Sequence, residues 1–244
     1  MPQEIEIKLK IDDLAAFQQS LSRVKAKPVF RGSGRIHEVN VIFDSPRGRL
    51  AKKAQLLRIR TETPVGNGGD QGGGQGGDQS DRGPTRAVLT FKRPANAQDP
   101  TALNLAEQGS SEMPGEKSAT HKVRDEIETV VTDVTTLAAI FEGIGMRGWF
   151  RYEKYRTTYR LSARWAKGLL IEVDETPIGN FAELEGPPKK IDRAARELGF
   201  SKADYILKNY LTLYREHCRR RAVKPGNMLF AKNRGAARKK SHKN

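Results

Sequence analysis

Glu4, Glu6 and Lys8, in the run EIEIKLK, are the first residues of the chain whose types and spacing could do chemistry. On a strand, where side chains alternate between faces, these three point one way and Ile5, Ile7 and Leu9 the other. The two carboxylates would stand about 6.8 Å apart along the strand. At an effective dielectric of about 20 they would repel by about 2 kcal/mol, so a cation is expected between them.

The same design returns along the chain. AQLLRIRTE sets Arg58, Arg60 and Glu62 against Leu57 and Ile59, and AVLTFKR sets Thr90 and Lys92 against Leu89 and Phe91. KVRDEIETVV aligns Arg124, Glu126 and Glu128 opposite Val123 and Ile127. WFRYEKYRTTYRL carries Tyr152, Lys154, Arg156, Thr158 and Arg160 on one face. GLLIEVDE adds Glu172 and Asp174, and FAELEG adds Glu183 and Glu185. Buried ions are costly unless paired or bound to a ligand, so charge of both signs on matching faces implies a highly charged guest. Carboxylates without His or Cys among them suit a hard cation with oxygen ligands, Mg²⁺ or Mn²⁺. Interleaved Arg and Lys suit phosphate. A metal–polyphosphate complex meets both demands.

These seven segments and IHEVNVIFDSP make eight predicted strands. Asp12 and Asp13 can cap a helix bearing Leu14, Phe17, Leu21 and Val24, and Asp133 starts another through Val134, Leu137, Ile140, Phe141 and Ile144, stopped at Gly145. A short helix follows Pro187 and Pro188 and ends at Gly199. Ser201 and Asp204 have capping-box spacing for a last helix with Leu207, Tyr210, Leu211 and Tyr214 on its apolar face. If the apolar strand faces met in a sandwich core, the amphipathic helices would have no partner. The expected fold is therefore α+β: a closed, eight-stranded antiparallel barrel with a polar lumen and helices packed outside, wide enough for one small ligand.

The formal net charge is +15. Ten Lys or Arg and no acid lie between Arg219 and Asn244, which leaves the remainder at +5. The division expected is a barrel domain over 1–215, with flexible polar inserts at 64–86 and 94–121, and a basic, disordered tail over 216–244. The tail could bind polyanions weakly and without sequence preference; Phe230 is almost its only aromatic residue. One cysteine, Cys218, excludes an internal disulfide and a multi-cysteine zinc site. With no apolar run near the ~20 residues of a membrane span, a cytoplasmic location is expected.

EIEIK at 4–8 matches the ExExK signature of the CYTH superfamily, the triphosphate tunnel metalloenzymes. The chain resembles that family from about residue 3 to 214, through FDSP, LLRIR, LTFK, RDEIE, EKYR, EVDE and FAELE in order. The resemblance implies a triphosphate tunnel in which Glu4, Glu6, Glu183 and Glu185 bind metal. Glu126, Glu128 and Asp174 would lie near the metal or the nucleophile, and Lys8, Arg58, Arg60, Lys92, Lys154 and Arg156 would hold the phosphate chain. Arg124, Glu172 and Lys208 fit structural ion pairs at least as well, and His37 reads as a strand-edge residue. The expected activity is hydrolysis of tripolyphosphate, ATP or thiamine triphosphate. The alternatives are a class IV adenylyl cyclase, making cyclic AMP and pyrophosphate, and a polyphosphate- or nucleotide-binding module without turnover.

Overall fold

The computed structural model describes residues 3–29, 34–65, 84–95 and 120–231. Most of the two inserts and residues 232–244 lie outside the described residues, and with them what was expected of their flexibility and of polyanion binding by the tail.

Among the described residues nine strands form one sheet: β1 (Gln3–Ile11), β2 (Ala26–Pro28), β3 (Arg35–Asp44), β4 (Leu56–Pro64), β5 (Arg86–Pro94), β6 (Lys122–Val131), β7 (Arg147–Leu161), β8 (Leu170–Thr176) and β9 (Gly179–Glu185). Eight of them close a ring in the order β7-β3-β4-β5-β6-β1-β9-β8, sealed by β7 with β8. Every pairing is antiparallel. The expected eight-stranded barrel is present; β2, which the sequence did not announce, only adds three residues to the end of β7.

Among the described residues four helices lie outside: α1 (Leu14–Arg23), α2 (Val134–Gly143), α3 (Pro188–Glu197) and α4 (Tyr210–Arg220). Asp13 and Asp133 cap α1 and α2 by accepting from Ala16 N and Thr136 N. Phe17 and Leu21 of α1 and Ile191, Ala194 and Ala195 of α3 cover Ile7, Leu9, Ile171 and Leu184 on the outer face of β1, β8 and β9. Burying each large aliphatic side chain there contributes about 1.5–3 kcal/mol. Phe141 of α2 similarly covers Phe43 and Ile59.

The last helix departs from expectation. The Ser201–Asp204 capping box forms, but on a single 3-10 turn at Lys202–Asp204. Tyr205–Asn209 then runs extended, and α4 starts at Tyr210 with Asn209 as its cap. The cause is on β1. Beyond Glu6 that strand has run past the start of β6, and Ile206 takes up the open edge, exchanging backbone hydrogen bonds with Lys8 of 2.8 and 3.0 Å.

The fold also extends past the expected boundary at 216. Helix α4 continues to Arg220, Cys218 is buried on it, and Met228 pairs with Tyr152 of β7.

Candidate active site in the barrel lumen

Strand alternation delivers the charged residues to one place. A cavity of about 450 Å³ is lined by Glu4, Glu6 and Lys8 of β1 together with Arg58, Arg60, Lys92, Arg124, Glu126, Glu128, Lys154, Arg156, Glu172, Glu183 and Glu185 from the other strands. One end is apolar and aromatic, with Ile42, Leu56, Trp149, Tyr152 and Leu211.

The lumen side chains are cross-paired. Lys8 Nζ lies 2.7 Å from Glu183 Oε1, and Lys92 Nζ lies 2.6 Å from Glu4 Oε2 and 3.1 Å from Glu126 Oε1. Lys122 pairs with Glu6. Arg156 donates Nε to Asp174 Oδ1 at 2.6 Å and Nη2 to Asp174 Oδ2 at 2.6 Å and Glu183 Oε2 at 2.5 Å, and also contacts Glu172. Lys154 Nζ donates to Asp174 Oδ2 at 2.9 Å and lies 3.5 Å from Glu38 Oε2. Arg58 is held less completely: Nη1 reaches Tyr152 Oη at 3.3 Å, Nη2 reaches Thr90 Oγ1 at 3.2 Å, and Nε has no hydrogen-bond partner. The buried side-chain amide of Asn40 also lacks partners at both its atoms. Buried donors left open in this way are met by a ligand or by water.

The lumen carboxylates fall into two electrostatic groups, interleaved along the sheet. Burial alone would raise Glu6, but Lys122 and Lys8 beside it hold its carboxyl at about 2. Glu38 is opposed by burial in the same way, and Lys154 and Arg156 hold it at about 2. The opposite holds at Glu185, which burial, with Glu172 and Glu4 nearby, pushes up to about 8. Glu172 is pushed up to about 7 by burial and Glu183, against the pull of Arg156. Glu6, Glu38 and Glu183 thus have their charge balanced by cations, while their neighbours Glu172 and Glu185 carry an excess of carboxylate.

The sequence matches the CYTH domain profile over residues 2–210. The chain belongs to the CYTH domain family. No curated protein matches it by sequence. Among solved structures, a Vibrio parahaemolyticus protein named as a candidate adenylate cyclase aligns over 86% of this chain and 96% of its own, at 14% identity and a TM-score of 0.58. A Pyrococcus horikoshii protein aligns over 87% and 98%, at 18% identity and a TM-score of 0.59. A Hippeastrum protein, named as a candidate adenylyl cyclase and described as having a dominant triphosphatase activity, aligns over 87% and 95%, at 19% identity and a TM-score of 0.50.

In this CYTH barrel every residue expected at the site reaches the lumen, except Asp174, which lies behind the cavity wall and orients Lys154 and Arg156. Arg124 lines the cavity and donates to the Ala54 carbonyl at 3.1 Å. Lys208 stays outside, 2.6 Å from Glu216, and His37 stacks on Tyr155 with ring centroids 4.8 Å apart. Of the four expected metal ligands, Glu4, Glu6 and Glu183 are engaged by lysine or arginine, and Glu185 carries the raised pKa. Among the described residues no three His, Cys, Asp or Glu stand together in ligating geometry. The donor chemistry nevertheless fits Mg²⁺ or Mn²⁺. The four expected ligands offer carboxylate oxygens, the cavity lining among the described residues holds no His or Cys, and the crowding of carboxylates that raises Glu185 is what a hard cation would relieve.

Sequence reasoning missed Glu38, Lys122 and Tyr210. Glu38 and Asn40 alternate in phase on β3, a signal that was available. Lys122 opens β6 in phase with Arg124, Glu126 and Glu128, so the same alternation offered a signal for it as well. Tyr210 carried no signal, because its place follows from the break before α4. No helix among the described residues is long and apolar enough to cross a membrane.

Proposed function

We propose that the protein is a metal-dependent triphosphatase acting on a triphosphate-containing small molecule. The observation that carries this reading is the buried or half-buried basic set Lys8, Arg58, Arg60, Lys92, Lys154 and Arg156, converging from four strands on one cavity. A triphosphate is dense enough in charge to displace the carboxylates that now pair with these groups. Arg58, with its Nε open and only a 3.7 Å ion pair to Glu128, would take phosphate oxygens at less cost than the tightly paired lysines. Water would attack the terminal phosphorus, and the bridging P–O bond would break to release phosphate and the shortened chain. Arg58, Arg156 and Lys154 would stabilise the charge gathering on the transferred group and on the leaving oxygen.

Glu185, with Glu4, Glu6 and Glu183 once the lysines and the arginine paired with them turn to phosphate, would hold Mg²⁺ or Mn²⁺. When bound, the cation would supply charge neutralisation for the triphosphate and orientation of the nucleophile. Glu126 and Glu128, on the adjoining wall of the cavity, would orient the attacking water.

A second reading, adenylyl cyclase, is favoured by the apolar end of the cavity at Ile42, Leu56, Trp149 and Leu211, which could seat a nucleobase. Incubation with tripolyphosphate, ATP or thiamine triphosphate and Mg²⁺ or Mn²⁺ separates the readings. Phosphate release supports the triphosphatase; cyclic AMP with pyrophosphate from ATP supports the cyclase. Binding without any product would leave the non-catalytic module.

A further inference from the structure

Among the described residues, Tyr210 is the one lumen-lining aromatic residue that comes from a helix. Its hydroxyl donates to Asp174 Oδ2 at 2.6 Å, beside the bond from Lys154 to the same oxygen. Its ring lies under two ammonium groups, with Lys8 Nζ 4.6 Å and Lys154 Nζ 5.3 Å from the centroid. Burial and the neighbouring Asp174 raise its pKa well above the ordinary value, so it stays a hydrogen-bond donor. Two lysines of the anion cradle and the carboxylate that orients one of them thus share a single contact on α4.

That contact is anchored at both ends of α4. Before the helix, Ile206 is bonded to the backbone of Lys8. After it, the chain returns as a strap. Gly226 N donates to Tyr214 Oη at 3.4 Å, and that hydroxyl donates to the Asn227 carbonyl at 3.1 Å. Arg151 N donates to Asn227 Oδ1 at 2.9 Å. Met228 exchanges backbone bonds of 3.0 and 2.9 Å with Arg151 and Glu153, where β7 has not yet met β8. The Met228 side chain is 1% exposed and belongs to the apolar cluster that contains Tyr210, Tyr152 and Phe181. Phe230 stacks on Tyr155 with ring centroids 5.0 Å apart.

We propose that residues 226–230 are a positioning strap for the anion cradle: by fastening α4 to the open edge of β7 they keep Tyr210 in the lumen, and Tyr210 sets the places of Asp174, Lys154 and Lys8. Tyr210 is a positioning residue here, acting through the lysines. The segment following the catalytic-type barrel is therefore part of the binding site. This inference rests on the triphosphate reading, and its test can fail separately from it.

The test is a double-mutant cycle on the full-length protein, read as tripolyphosphate affinity by calorimetry in EDTA and as KM against kcat in Mg²⁺. Met228→Ala and Tyr210→Phe should each weaken tripolyphosphate by about tenfold, chiefly in KM. Tyr210→Phe made on top of Met228→Ala should cost less than about twofold more, because the hydroxyl has already lost its place. Met228→Leu, which keeps the volume, should restore wild-type affinity. Multiplying effects, or a Met228→Ala protein that melts lower yet binds normally, would overturn the strap. A wild type that takes up no tripolyphosphate would instead overturn the triphosphate reading. Hydrogen exchange then decides the strap alone: Met228→Ala should speed exchange at the α4 amides, and unchanged protection would end the proposal.

Discussion

Asp174, with no exposed surface, receives two hydrogen bonds of 2.6 Å from Arg156, one to each carboxylate oxygen. The pair faces across β7 and β8, the seam at which the barrel closes, and Lys154 and Tyr210 converge on the same carboxylate. Closure of the barrel and placement of the lumen cations Lys154 and Arg156 are therefore one arrangement. The lumen is held ready by its own carboxylates, and a triphosphate with its cation would exchange partners within an existing set of charges.

Asp174→Asn should be costly. It removes the counter-charge from Lys154 and Arg156 while keeping the shape, and breaking one side of a buried ionic set costs about 3–5 kcal/mol. Urea unfolding of the variant should show a lower midpoint at an unchanged slope.

Arg58→Lys should not substitute for arginine. Arg58 spreads its donors between Tyr152 and Thr90 and keeps Nε open, a fork that an ammonium cannot reproduce. Steady-state kinetics with tripolyphosphate should show kcat/KM lower by about ten- to a hundredfold, roughly 1.4–2.8 kcal/mol of transition-state stabilisation.

Acid should unfold the protein through Glu38. Burial works against its ionised form, and Lys154 and Arg156 more than offset that, placing its folded pKa at about 2 against an ordinary 4.5. A depressed carboxylate stabilises the fold fully above the unfolded value and loses that contribution as pH falls from about 4.5 toward 2. Glu38→Gln should flatten the fall in melting temperature over that window. A fall as steep as in wild type would remove Glu38 from the account.

Gly186 ends β9 directly after Glu185, with φ of +146°, and a Cβ there would meet the Gly168 carbonyl oxygen at 2.6 Å. Its N–H also donates to the Ile5 carbonyl at 3.0 Å, tying Glu185 to the Glu4–Glu6 strand. Gly186→Ala should lower stability by about 1–3 kcal/mol, and thermal melts with and without Mn²⁺ should show less stabilisation by the cation than in wild type.

The barrel was legible because its rule is local. Alternation on β1 put Ile7 and Leu9 outside and Glu6 and Lys8 inside, and six later strands repeated that division, so the polar lumen followed from period alone. What could not be read depends on where strands stop pairing. Ile206 occupies β1 beyond the start of β6, and Met228 occupies β7 before the start of β8. Neither gap has a signature in the segment that fills it. The Ser201–Asp204 box was a sound local signal, but the long-range pairing of Ile206 ended its helix after one turn. The pairing of Glu6 with Lys122 and of Glu183 with Lys8 was likewise hidden, because strand patterns give a face and not a cross-strand partner.

The most direct measurement is a crystal structure of the full-length protein grown with tripolyphosphate and Mn²⁺. The account expects the phosphate chain inside the barrel, with oxygens in hydrogen-bond contact with Arg58, Lys92, Lys154 and Arg156, and manganese on Glu4 and Glu185. Tripolyphosphate found only on exposed basic residues such as Arg47, Lys52 and Arg219, with the lumen ion pairs intact, would contradict it.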